Sequence, residues 1–171
     1  MKRRGFTIVE LIIVIAIMGI LLVLVVVNIR GTQVSARDDE RKADVANLAL
    51  QLEVFYKNGR DDSSTVGRYP SVDLIISGVG SIQSNLRDIS LETVKAPGVT
   101  DPLQTLVMAT NDTQTTAGVA PQPTINQYVY QPIYVDGTAL CATGMTNCRK
   151  FNIYYRLESD NAVYMVTSKN Q

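Results

Sequence analysis

From Phe6 to Val27 the chain reads FTIVELIIVIAIMGILLVLVVV, an apolar run interrupted near its start by a single carboxylate, Glu10. No position from Leu11 to Val27 is charged. An apolar stretch of about 22 residues, at ~1.5 Å rise per residue, makes a helix of ~33 Å, enough to cross a hydrocarbon core. Beyond it the pattern turns amphipathic. In TQVSARDDERKADVANLALQLEVFYK, residues 32–57, the apolar positions Val45, Leu48, Leu52 and Phe55 recur at spacings of three and four and share one helix face. Asp38 and Lys42 are placed for an i,i+4 ion pair in the favourable order. No proline occurs before Pro70, so one helix of roughly 75 Å is expected from about Thr7 to Lys57. Its weakest point is Asn28 to Gly31, where a kink or melted turn is expected. Asn58-Gly59 is the expected stop.

The remainder has a different texture. GRDDSSTVGRYPS is a loop rich in turn formers. SVDLIISGV fits a short helix or a strand, and GSIQSNLRDISLETV a second short helix. Residues 109–127 are rich in Thr, Asn, Gln and Pro and read as a surface loop, with Asn111-Asp112-Thr113 matching the common N-glycosylation tripeptide. Three strand-like runs follow: QYVYQPIYV, FNIYYRLE and AVYMVTS, the last two joined by the polar turn Ser159-Asp160-Asn161. Three antiparallel strands, with one face on the Val45/Leu48/Leu52/Phe55 stripe, give an α+β fold.

Charge and composition narrow the function. The chain has 171 residues, enough for one modest domain beyond the apolar segment, and its formal net charge is zero. Without residues 1–5, 13 basic residues face 16 acidic ones, so a direct high-affinity nucleic-acid partner is not expected. There is no His, which removes the commonest general base and metal ligand. No catalytic constellation, phosphate-binding glycine loop or EF-hand spacing is present in the sequence, so neither an enzyme nor a resident metal or cofactor is expected. Asp61-Asp62 and Asp160 remain the acidic positions that could meet calcium.

Lys2, Arg3 and Arg4 precede the apolar run, so the positive-inside rule puts Met1 in the cytoplasm and Gln171 outside. A cleaved secretory signal fits poorly, because the run is too long and no good small-x-small site follows it. A plain single-pass anchor explains length and charge but leaves Glu10 without a role, unless it sits hydrated at the headgroup level. Cys141 and Cys148 are spaced unlike a redox CxxC, and without His they are poor zinc ligands. The choice is between free thiols and a disulfide, and a location outside the cytoplasm favours the disulfide. Closing that short loop is worth ~2.5 kcal/mol in the chain-entropy picture.

The segment RRGFTIVELIIVIAIMGIL resembles the cleavage and methylation motif of type IV prepilins and pseudopilins. The resemblance implies that a prepilin peptidase cuts between Gly5 and Phe6, that the new amino terminus at Phe6 is methylated, and that Glu10 holds the place of the family's assembly carboxylate. Facing the Phe6 ammonium of a neighbouring copy at 4 Å, Glu10 would be attracted by ~4 kcal/mol at an effective dielectric of ~20. Desolvation offsets much of this, so the pair would set register more than strength. The organisation implied is a leader over residues 1–5, a membrane and filament-core helix over 6–30, its amphipathic half over 31–57, a variable region over 58–127 and a sheet with a disulfide loop over 128–171. The Tyr69-Pro70-Ser71 segment and the late cysteines also resemble the pilin head. The family's common proline in the membrane half of the helix is missing, so Gly19 or Gly31 would have to serve any unwinding.

The implied partners are other copies of the chain, the peptidase, an assembly ATPase and a membrane platform protein. The implied locations are the cytoplasmic membrane before assembly and an extracellular filament afterwards. The expected function is a type IVa-like surface pilus subunit for adhesion, twitching or DNA uptake. The alternative is a pseudopilin or minor pilin of a secretion or competence machine. Major pseudopilins often hold calcium in the head, and that pattern is not matched here. The charged run ARDDERKAD reads as a solvated helix face, or as a source of salt bridges to neighbouring heads.

Overall fold

The structure is a computed structural model that describes residues 5–59, 65–76, 82–84, 86, 91–101, 105–142 and 147–170. Side chains of residues 25–30, 74, 76, 91 and 92 lie outside that description. The chain divides into two compact units, Met1–Ala36 and Arg37–Gln171.

Helix α1 spans Ile8–Asn58, one residue later at each end than expected. It is helical without interruption through Asn28 and Gly31, so the expected melted turn is absent. A Gly in a helix interior costs ~1 kcal/mol relative to Ala, too little to break a helix whose other positions favour it. The last turn closes at Gly59, whose φ of 69° suits only a residue without a side chain and whose N–H donates to the Phe55 carbonyl at 2.7 Å.

In the second unit, α1 lies against a four-stranded sheet of order β1-β2-β3-β4: Leu106–Met108, Tyr128–Tyr134, Cys148–Arg156 and Val163–Thr167. The three expected strands are β2, β3 and β4, antiparallel throughout. The expected sheet needs one correction. A short β1 pairs parallel with β2, from Leu106 opposite Tyr128 to Met108 opposite Tyr130, so the sheet is mixed. Short helices α2 (Val72–Ile76) and α3 (Leu91–Val94) lie between α1 and the sheet in sequence, and Val72, Ile75 and Val94 are buried in the core.

Strand alternation sorts the sheet's side chains onto two faces. Tyr128, Tyr130, Phe151, Ile153 and Tyr155 join Val45, Leu48, Leu52 and Phe55 in the main core, so the predicted stripe is the helix side of that core. Fully burying each such side chain stabilises by about 1.5–3 kcal/mol. Tyr69 packs edge-on against Phe151 with ring centroids 4.8 Å apart. Val129 and Tyr154 point the other way and meet Ala109 and Val119 in a second, smaller cluster.

Most of residues 109–127 lies at the surface, as expected, but Ala109 and Val119 are buried in that second cluster, so the loop is anchored on the sheet. A parallel β1–β2 pair needs a crossover, and this segment supplies it by strapping over the face opposite α1. Gln131, fully buried on β2, anchors it. Its Nε2 donates to the carbonyls of Asn111 and Thr113, while its Oε1 accepts from Asn152 Nδ2 and Tyr154 Oη. Every polar atom of this buried amide is therefore satisfied, as burial demands. Asn111 is held too: its Nδ2 donates to the Gly118 carbonyl at 2.8 Å, and its Oδ1 accepts from the Ala120 N–H. A side-chain amide so engaged is poorly placed to accept a glycan.

Candidate functional site

At the amino end, Gly5, Phe6 and Glu10 come together around the start of α1. Gly5 is exposed, and nothing lies within 4 Å of the position its Cβ would take. Phe6 is 83% exposed. Thr7 caps the helix. Its Oγ1 accepts from the Glu10 N–H at 3.2 Å and donates to Glu10 Oε2 at 2.9 Å, and its own N–H donates to the same oxygen at 2.9 Å. Thr7 and Glu10 therefore form a reciprocal capping box that satisfies amide donors the first helical turn leaves over. A carboxylate in that turn also complements the positive end of the helix dipole. These bonds use Oε2 alone. The expectation for Glu10 named register or hydration; capping is a third role. Its signal, Thr-x-x-Glu before an apolar run, stands plainly in the sequence.

From Ile8 to Leu24 every residue is exposed, and the large side chains among them show 40% or more of their surface. Single exposed apolar residues are ordinary, but an uninterrupted helical surface of them marks an interaction with membrane or protein. Among the described residues, no helix is long and apolar enough to cross a membrane. Residues 25–30, the second part of the expected span, have side chains outside that set. Lys2, Arg3 and Arg4, the expected leader charges, also lie outside the described residues.

The charged run is corrected in detail. Lys42 pairs with Asp39 at 3.2 Å, not with Asp38. Asp38 and Arg41 turn inward and are both buried, 2.8 Å apart. Asp38 accepts from the backbone N–H groups of Glu158 and Ser159 at 2.8 and 3.0 Å, fastening α1 to the β3–β4 turn. Arg41 Nε donates to the Ile125 carbonyl, and Arg37 grips Glu158 through two donors at 2.8 and 2.7 Å. Burial pushes the Asp38 carboxyl upward, but the Glu158 and Ser159 donors and Arg41 outweigh it and hold the group at about 2. Glu158 is lowered chiefly by its bond from Arg37. Nearby, Tyr128 Oη donates to Asp44 at 3.0 Å, and burial together with that carboxylate raises the phenol. The run is thus partly a core element of its own head, rather than only a solvated face or a set of contacts to other heads.

Cys141 and Cys148 are joined in a disulfide with Cα atoms 5.6 Å apart. Both are buried, and their carbonyls receive the N–H groups of Val72 and Tyr69. The crosslink thus ties the segment around α2 to the start of β3. Among the described residues, no group of three or more His, Cys, Asp or Glu could hold a metal ion. Asp160 is engaged by the Ala162 N–H and Tyr164 Oη, while Asp61 and Asp62 lie outside the described residues.

A terminal motif followed by a helix packed on a small mixed sheet is consistent with an α+β fold of the pilin kind. Residues 1–26 match the prokaryotic N-terminal methylation motif. The chain is similar to the type II secretion system core protein G of Dickeya chrysanthemi, 33% identical over 81 residues, covering 47% of this chain and 46% of that protein. It is also similar to the core protein G of Pectobacterium carotovorum subsp. carotovorum, 32% identical over 72 residues and 42% of each chain. The chain thus spans less than half the length of these curated relatives. No solved structure matches it significantly.

Proposed function

We propose that this chain is a structural subunit of a type IV pilin-like filament, and more specifically a pseudopilin of a secretion machine rather than the surface pilus subunit expected first. The match of residues 1–26 to the methylation motif carries the filament reading. The similarity to type II secretion core protein G favours the secretion branch over a surface pilus. In this reading a membrane peptidase cuts the exposed Gly5–Phe6 bond, and Phe6 becomes the methylated terminus. The cut leaves Thr7 and Glu10 intact, so the capping box survives and the new ammonium arises one residue ahead of it. The exposed apolar surface from Ile8 to Leu24 holds the precursor in the cytoplasmic membrane and then packs against the same surface of other copies. Glu10, already oriented by Thr7, would meet a neighbour's ammonium and set register. The peptidase, an assembly ATPase and a platform protein are the partners this cycle requires.

Fractionation of cells that make the chain at native level tests the branch. Processed chain retained with the envelope, in step with a secretion machine, supports the pseudopilin. Processed chain that dominates the material sheared from the cell surface would return the reading to a surface pilus. An uncut chain in every fraction would overturn both.

A further inference from the structure

We propose that β4 is a separable edge strand, held less by burial than by two carboxylates of α1 that clip its ends. The contrast with its neighbours carries the proposal. In β2 every residue but the last is buried, and β3 is buried through its middle, whereas no residue of β4 is buried, and Tyr164 and Met165 are 39% and 38% exposed. Few buried apolar contacts mark the low-stability end of a fold.

Polar clips stand where burial is missing. Before β4, Asp38 holds the turn at the N–H groups of Glu158 and Ser159. After it, Glu53 gathers the tail. Its Oε1 accepts from the Lys169 N–H at 2.7 Å, and its Oε2 accepts from Asn170 Nδ2 at 2.6 Å and Tyr69 Oη at 2.9 Å. Asp38 and Glu53 sit on one helix, so a single rigid rod fastens both ends of the strand. Between the clips, β4 is joined to β3 by its ladder, by Ser168 against Phe151 and by the stacked Tyr155–Tyr164 pair. Opening β4 uncovers the β3 edge that carries Phe151, Ile153 and Tyr155, without disturbing β1 and β2. The two carboxylates set how often this happens.

Amide hydrogen exchange on the whole chain in detergent micelles, read by peptide mass spectrometry, tests this. In the unaltered chain, residues 163–167 should exchange faster than residues 128–134 and 150–156. Glu53→Gln offers one acceptor oxygen where the carboxylate uses two. It should speed exchange in 163–167 by about tenfold or more and leave β2 and β3 unchanged. Asp38→Asn keeps the side-chain shape and should act on the same strand from its other end. Exchange of β4 in step with β2 and β3 in the unaltered chain would overturn the proposal. So would a Glu53→Gln chain whose β4 is unchanged, or one in which the whole sheet accelerates together.

Discussion

One helix, α1, carries two kinds of surface. From Ile8 to Leu24 every side chain faces outward and nearly all are apolar. From Arg37 to Asn58 the helix alternates, and each inward position finds a partner: Asp38 the β3–β4 turn, Arg41 the Ile125 carbonyl, Val45 to Phe55 the sheet. Helix propensity does not separate the halves, since both are helical without a break. What separates them is where the stabilisation comes from. The head half gains it within its own unit, whereas the amino-terminal half shows no such burial and suits lipid or other copies. Substitutions in the head should therefore be felt as folding defects, and substitutions upstream as assembly defects.

The sharpest contrast sets Asp38→Ala against Ile17→Ala. Removing Asp38 takes the 2.8 Å carboxylate from the buried Arg41, which keeps the Ile125 carbonyl and Glu158 at 3.6 Å, and frees two backbone donors, which should cost about 3 kcal/mol. Urea unfolding followed by near-UV circular dichroism of the tyrosines checks this. Ile17→Ala should change head stability by less than about 0.5 kcal/mol, yet reduce copurification of the chain with filaments. Leu52→Ala, with a fully buried side chain, should cost about 2–5 kcal/mol in the same assay. Acid should act on the same cluster. Asp38 is depressed from 3.8 to about 2, so its contribution is present above the unfolded value and is lost as pH falls from about 4 to about 2. In Asp38→Asn that loss should disappear from the acid-unfolding curve. Cys141→Ser with Cys148→Ser should cost ~2.5 kcal/mol, with the first loss of protection around Tyr69 and Val72.

The smallest effect on stability concerns Glu10 and separates its two roles. Glu10→Ala loses cap and charge, costing the helix end about 1 kcal/mol, whereas Glu10→Gln keeps a capping oxygen without the charge. If charge sets register, both variants fail to form filaments of normal order. Ordered filaments from Glu10→Gln alone would assign the residue to capping.

The two halves also differed in how far the sequence revealed them. The apolar run, the stripe from Val45 to Phe55, the stop at Gly59 and the three longer strands all follow from periodicity and turn chemistry. Asp38 and Arg41 were harder. They extend the stripe upstream at spacings of four and three from Val45, but their charge reads as solvent exposure. Only the partners they meet, 84 to 121 residues away, justify burying them. β1 is three residues long, too short for any period, and exists because β2 offers an edge. The strap over residues 109–127 reads as a surface loop and is largely exposed; what composition does not report is that Gln131 and Asn111 fasten it to the sheet and to itself. At the amino end the situation is reversed. The motif is fully legible in sequence, and its geometry adds only the Thr7–Glu10 box.

The central claim is that the amino-terminal half is an assembly surface released by processing, and the intact mass of the chain tests it most directly. The chain would be made in cells with and without an active prepilin peptidase and its mass measured from isolated membranes. The account predicts that active peptidase yields a chain lacking residues 1–5, beginning at Phe6 and heavier by one methyl group, while inactive peptidase leaves Met1 to Gly5 in place. A chain that keeps Met1 to Gly5 beside active peptidase would contradict the account and leave α1 as a plain anchor.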